Sequence, residues 1–161
     1  MTKRILSLLI SALVCTASLC MMTACSDDMW DSEKNKKNGE KFLADNAKKS
    51  DVTVTASGLQ YKILVEGSGK KPTSSNTVKC YYKGTFINGK KFDGTSSGKP
   101  ASFQVKGVIK GWQEALKLMP VGSKWEIYLP YSLAYGAAGA GNDIPPYSAL
   151  IFEIELLEIV K

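Results

Sequence analysis

Residues 108–119, Val-Ile-Lys-Gly-Trp-Gln-Glu-Ala-Leu-Lys-Leu-Met, carry the only strong helical pattern after residue 50, and strand-like segments flank them on both sides. Trp112, Ala115, Leu116 and Met119 fall at i, i+3, i+4 and i+7, one face of a helical period, while Lys110, Gln113, Glu114 and Lys117 take the other. Pro120 lacks the N–H that would continue the helix and pushes Met119 out of the helical region, so the helix ends after about two turns. A helix that short is unstable alone. Its apolar face therefore has to be covered by a sheet built from the flanking strands. Trp112 is then either plain core or the floor of a hollow between helix and sheet.

Those strands are legible from Gly58 onward. Leu59, Tyr61, Ile63 and Val65 alternate as in a strand with one buried face, ended by Gly67-Ser68-Gly69. Thr77 to Phe86 sets Val78, Cys80, Tyr82, Gly84 and Phe86 on one face and Tyr81 on the other. Asn88-Gly89 is a two-residue hairpin signal that should return Lys91-Phe92-Asp93 antiparallel. Ser102 to Val105 reads as a short strand. Lys124 to Leu129 alternates Trp125, Ile127 and Leu129 and is closed by Pro130, and Ala149 to Val160 is a final apolar strand with Leu150, Phe152, Ile154 and Leu156 facing one way. Between Leu133 and Tyr147 lies a glycine-rich flap; Pro145-Pro146 stops any helix from starting where a dinucleotide's phosphates would sit. All joins are hairpins or loops, so the expected fold is α+β: an antiparallel sheet of five or six strands wrapped around one short helix, over residues 58–161.

Upstream, Lys3 and Arg4 precede an apolar run from Ile5 to Leu19 and small residues leading to Thr23-Ala24-Cys25, the pattern of an export leader over residues 1–24. Met22-Thr23-Ala24-Cys25 resembles the lipobox of bacterial lipoproteins, which would make Cys25 the lipidated first residue of the mature chain. Met22 stands where a branched residue is usual, and cleavage without lipidation is the alternative. Residues 25–57 are polar, with Asp27-Asp28 behind the anchor and a helix-compatible run from about Ser32 to Lys49 whose sizeable apolar residues are Phe42 and Leu43. That is too little apolar surface for a core, so the segment reads as a partly helical spacer holding the domain off a membrane. The acidic pair resembles a surface-export tag of some outer-membrane lipoproteins; the other reading is a solvated tether. The expected location is the cell envelope, as an outer-membrane lipoprotein facing the periplasm or the cell surface.

The residue inventory excludes much chemistry. There is no histidine, and with Cys15 and Cys20 in the leader and Cys25 acylated, Cys80 is the one thiol left. An internal disulfide, Ser-His or Cys-His catalysis and a structural zinc site are all ruled out. Cys80 is expected to be a buried small hydrophobe. Losing Lys3 and Arg4 lowers the formal charge of +6 by two, and the lysines of residues 34–49 are interspersed with acids without aromatic interleaving, so nucleic acid is not an expected partner. No cofactor or metal is expected.

Around Trp112 in sequence stand Tyr82, Phe92, Val108, Ile109, Tyr135, Ile144 and Phe152, most of them at strand ends or in loops, where the rim of an apolar pocket would be. Tyr-Lys-Gly at 82–84, Asn-Gly-Lys-Lys-Phe-Asp at 88–93, Val-Ile-Lys-Gly-Trp at 108–112, Met-Pro-Val-Gly-Ser at 119–123, Leu-Ala-Tyr-Gly at 133–136, Ile-Pro-Pro at 144–146 and Leu-Ile-Phe-Glu-Ile-Glu-Leu at 150–156 together resemble the FKBP-type peptidyl-prolyl isomerases, in order from Gly58 to Lys161. Gly39 to Ala44 followed by Ser57 to Tyr61 is similar to the spacer helix and domain start of the macrophage infectivity potentiator subgroup.

The resemblance implies a pocket of Tyr82, Phe92, Asp93, Val108, Ile109, Trp112, Tyr135, Ile144 and Phe152. In it Trp112 is the floor for the proline ring, Asp93 a polar handle bonded to Tyr82, Tyr135 a donor to the bound carbonyl and the Ile109 backbone a further donor. Two positions depart from the eukaryotic pattern: Ala101 where an aromatic wall is common and Ala140 where the flap often carries histidine, which bears on affinity for macrolides such as rapamycin and tacrolimus. Phe103, Trp125 and Leu156 read as ordinary core, and Asp93 as a charge in an apolar setting. The implied activity is peptidyl-prolyl cis-trans isomerisation of proline-containing polypeptides, assisting the folding of exported proteins. The alternative is a non-catalytic peptide-binding chaperone or adaptor lipoprotein on the same fold. With only about thirty spacer residues before Gly58, a monomer is expected.

Overall fold

The computed structural model describes residues 31–161; the expected leader, the lipobox and Cys25 lie outside the described residues. Helix α1 (Ser32–Asn46) starts at Asp31, whose carboxylate accepts the Lys34 N–H at 3.0 Å. There follow β1 (Thr53–Val54), β2 (Gln60–Val65), β3 (Thr77–Phe86), β4 (Lys91–Gly94), β5 (Ala101–Gln104), α2 (Lys110–Leu118), β6 (Lys124–Leu129) and β7 (Leu150–Ile159). Every strand pairing is antiparallel, in the order β1-β2-β6-β7-β3-β4, with β5 beside β3 on the edge it shares with β4. The α+β expectation is met, with seven strands in place of five or six. The addition is β1, a two-residue strand set against Tyr61 and Gln60, whose brief alternation Val52-Thr53-Val54-Thr55 falls in the segment read as spacer.

Helix α2 lies against the concave face. Trp112, Ala115, Leu116 and Met119 are buried, and they meet Val78, Cys80, Ile127, Leu129, Ile154 and Leu156 from alternate positions of the strands. The helix stops where Pro120 requires: Met119 turns to ψ 120° while its N–H still reaches the Ala115 carbonyl at 3.0 Å. Cys80 is fully buried between β5 and β7, and burial pushes its thiol up to about 12, so it is an inert hydrophobe.

Two local readings are corrected. The alternation along β2 holds only as far as Tyr61: Ile63 and Val65 are 41% and 51% exposed, and the pairing with β6 shifts register between them. The β3–β4 hairpin has a three-residue loop, not two: the Phe86 carbonyl accepts Gly89 N–H, the Phe86 N–H reaches Lys90 O, both at 2.9 Å, and Gly89 takes φ 84°.

Helix α1 forms where expected and is packed onto the domain. It crosses the face opposite α2, where Phe42 lies 6.1 Å from the buried ring of Tyr128 and the Asn35 amide donates to Pro146 O at 3.2 Å. At its end Asn46, 1% exposed, donates to Gln60 Oε1 at 2.9 Å, and Gln60 donates to Leu43 O at 2.9 Å. A few apolar atoms suffice because amides complete the contact. Close approach depends on Gly39, where an added Cβ would lie 2.9 Å from the Ala149 Cβ. Gly39→Leu is expected to lift α1 away without unfolding the sheet. Hydrogen exchange should then accelerate in Ser32–Asn46 while β3 and β7 stay protected; unchanged protection of α1 would contradict this docking.

Candidate functional site

Trp112, in the first turn of α2, is 4% exposed and receives three aromatic edges. Tyr82 from β3 stands 5.3 Å away at 84°, Phe152 from β7 5.4 Å at 89° and Phe103 from β5 5.6 Å at 74°. These are the edge-to-face arrangements that ring quadrupoles favour. Phe92 from β4 in turn meets Phe152 at 5.6 Å and 89°. That last contact needs Gly84: a Cβ there would come within 2.6 Å of Phe92 and 2.9 Å of Phe152. The Trp112 Nε1 is buried with no hydrogen-bond partner among the described residues.

Above this floor opens a cavity of about 320 Å³, walled by Tyr82, Phe103, Val108, Ile109 and Phe152 and rimmed by Asp93, Gly107 and Tyr135. A second compartment of about 340 Å³ shares Asp93 and Tyr135 and adds Phe92, Ala140, Asp143 and Ile144. Of the nine pocket residues named from the sequence, seven line the first compartment, and Phe92 and Ile144 line the second. Phe103 had read as ordinary core and lines the cavity instead. No local signal separates the two readings: Phe103 reaches the hollow because β5 pairs with β3, which sets its ring 5.6 Å from that of Tyr82. Ala101 does not line the hollow; it pairs with Cys80 in the sheet. A separate groove of about 370 Å³ lies between α1 and the β3–β4 hairpin, lined by Asn35, Asn38, Phe86, Ile87 and Asn88, and includes none of the nine.

The polar groups sit at the rim. Tyr82 Oη donates to Asp93 Oδ2 at 2.7 Å, and the Gly94 N–H holds the other carboxylate oxygen at 2.7 Å. Asp93 is exposed, which corrects its expected apolar setting: β4 ends at Gly94, so its side chain stands at the mouth. Burial, then the bond to Asp93, pushes the Tyr82 hydroxyl well above the ordinary tyrosine value. Tyr135, 39% exposed on the flap, is also raised, by partial burial and then by Asp93. Behind the rim, Gln113 Nε2 donates to the Val108 carbonyl at 2.8 Å, and Ile109 opens α2. Among the described residues no three His, Cys, Asp or Glu side chains converge as a metal site would require. Such a hollow can take up a small apolar ring and offer hydrogen-bond donors to the polar chain attached to it.

Residues 68–157 match the family described as FKBP-type peptidyl-prolyl cis-trans isomerase, and residues 19–63 match the domain amino terminal to it. The chain is 53% identical over 123 residues to the FKBP-type 22 kDa peptidyl-prolyl cis-trans isomerase of Escherichia coli, covering 76% of this chain and 60% of that protein. It is 50% identical over 131 residues to the outer membrane protein MIP of Legionella longbeachae, covering 81% and 56%. The chain thus spans less than two thirds of the length of either relative. A crystal structure of a peptidyl-prolyl cis-trans isomerase from Pseudomonas syringae superposes with a TM-score of 0.76 at 38% identity, over 81% of this chain and 96% of that one.

The geometry makes a spectroscopic prediction. Of the seven tyrosines, Tyr82, Tyr128 and Tyr135 should ionise above the ordinary value of 10.0. In a phenolate absorbance titration, Tyr82→Phe should remove absorbance only above pH 10. Because the folded state holds this proton more tightly, the associated stabilisation is present below pH 10 and is lost as the pH rises through the folded value. A variant that loses amplitude at pH 10 would show Tyr82 to be unperturbed.

Proposed function

The chain belongs to the family of FKBP-type peptidyl-prolyl cis-trans isomerases, and on that premise we propose that it catalyses rotation about Xaa-Pro bonds in the hollow floored by Trp112. The observation that carries this reading is the cage of Tyr82, Phe103 and Phe152 set edge-on around Trp112, open on one side to a polar rim that carries Asp93 and Tyr135. The proline ring rests on Trp112 between Val108, Ile109 and Phe152. Phe92 and Ile144 extend the wall beneath the neighbouring residue.

Rotation makes and breaks no covalent bond, which suits a site without nucleophile or general base. The barrier is largely amide resonance, about 18–20 kcal/mol. Twisting the amide reduces its charge separation, so a desolvated apolar hollow favours the twisted state over the planar one. Donors have a different task, which is to orient the chain: Tyr135 Oη and the Ile109 N–H hold peptide carbonyls so that the Xaa-Pro bond lies over the floor, and Asp93, fixed by Tyr82, sets the polar end of the hollow. Even a ten-thousandfold acceleration needs only about 5.5 kcal/mol of differential stabilisation.

The isomerase domain spans residues 58–161, and residues 25–57 connect it to a lipid anchor on Cys25 behind a leader of residues 1–24. On this reading the protein works as a monomer at the envelope, where proline-containing exported polypeptides fold; the relative named as an outer membrane protein supports the location. Macrolides of the rapamycin and tacrolimus type would compete for the hollow, with a lower rim at Ala140.

A protease-coupled cis-to-trans assay on short Xaa-Pro peptides tests the reading. The parent chain should accelerate isomerisation, with inhibition by rapamycin. Asp93→Leu should lower kcat/KM by about tenfold, the loss of one charged hydrogen bond partly replaced by water. Lys117→Ala, on the exposed side of α2, should match the parent. A parent that leaves the uncatalysed rate unchanged would overturn the isomerase reading and leave a peptide-binding module.

A further inference from the structure

The Ile109 peptide unit has an orienting device behind it, and we propose that Gln113 is a positioning residue that aims the Ile109 N–H into the hollow. This inference rests on the isomerase reading above. Gln113 joins the loop before α2 to the helix in two ways. Its backbone N–H donates to Ile109 O at 3.0 Å, an ordinary helical bond. Its side-chain Nε2 donates to Val108 O at 2.8 Å and, at greater length, to Lys106 O at 3.4 Å.

The Val108 carbonyl and the Ile109 N–H are the two ends of one peptide unit, and no described peptide bond is cis. In a planar trans unit these groups point in opposite directions. Holding the carbonyl toward Gln113 therefore turns the N–H away from it, and both Val108 and Ile109 line the hollow. Their dihedrals alone would not fix that plane. Val108 at φ −94°, ψ 172° and Ile109 at φ −59°, ψ 153° lie in the broad extended region, where rotation of the unit is cheap. The preceding anchor is Val105, buried and bonded through its N–H to Asn76 O at 2.9 Å, with the exposed Gly107 in between. A neutral amide suits the task, because a carboxylate at residue 113 would face two carbonyl oxygens without a proton to share.

Ile109→Pro deletes the donor in place: φ of −59° is already that of proline, and Val108 is extended as a residue before proline must be. We compare kcat/KM and thermal stability for the parent, Gln113→Leu, Ile109→Pro and the double variant. Gln113→Leu should lower kcat/KM about fivefold, through kcat more than KM, as expected for one hydrogen bond lost from an oriented donor. Ile109→Pro should lower it further, and the double variant should equal Ile109→Pro, since Gln113 then has no donor to aim. Gln113→Glu, close in size but unable to donate when ionised, should behave as Gln113→Leu.

Losses that multiply in the double variant, or full activity in Gln113→Leu or Gln113→Glu, would overturn the proposal while leaving an active isomerase. An inactive parent would instead remove the isomerase reading, and this inference with it. Should Ile109→Pro fail to fold, the Ile109 amide proton is the readout. Its NMR shift should respond to a saturating Xaa-Pro peptide in the parent and not in Gln113→Leu; an equal response in both would refute the role.

Discussion

The packing of one indole ring organises the rest of this molecule. Trp112 sits on the first turn of a nine-residue helix that cannot persist alone, and it is reached by aromatic edges from β3, β5 and β7 at 5.3–5.6 Å. Burying side chains of this size contributes about 1.5–3 kcal/mol each, so the helix face of Trp112, Leu116 and Met119 is what pins α2 inside the sheet. The same contacts leave the hollow open. Three rings met edge-on define walls without filling the space above the floor, and Gly84 supplies the clearance that lets Phe92 complete the wall. Stability and binding surface therefore come from one set of residues. Leu116 and Met119 act only in the core, whereas Trp112 and Phe152 belong to core and cavity alike.

This overlap explains what was legible in the sequence. The helical period around Trp112, the stop at Pro120 and the alternation in β3, β6 and β7 are local signals, and the structure follows them. Phe103 was misread because burial and pocket lining leave the same mark in a sequence, an apolar residue on a strand; only the pairing of β5 beside β3 decides between them. The exposed setting of Asp93 depends on where β4 ends, and the open outer half of β2 on how far the elements packed against the sheet extend, which its alternation does not announce. The docking of α1 escaped notice for another reason. Its contact is carried by the absence of a side chain at Gly39 and by the amides of Asn46 and Gln60, none of which stands out as apolar.

The rim and the floor divide the chemistry. The floor is apolar and buried, and in the proposed reaction it would act on an amide by removing the solvent that favours its planar, charge-separated form. The rim supplies direction. Tyr82 and Asp93 fix one another, Gln113 holds the Val108 carbonyl and Tyr135 sits half-exposed on the flap. A site so built needs no group to change its covalent state during turnover, which agrees with a chain that has no histidine and whose Cys80 is locked in the core.

The most direct measurement is an NMR study of the protein with a short Xaa-Pro peptide, reading intermolecular contacts from the proline ring. The ring protons are expected to show cross-peaks to the Trp112 indole and to Val108 and Phe152, with upfield shifts from the surrounding rings. Cross-peaks to Phe86 and Ile87 in the groove beside α1, with the Trp112 signals undisturbed, would contradict the account.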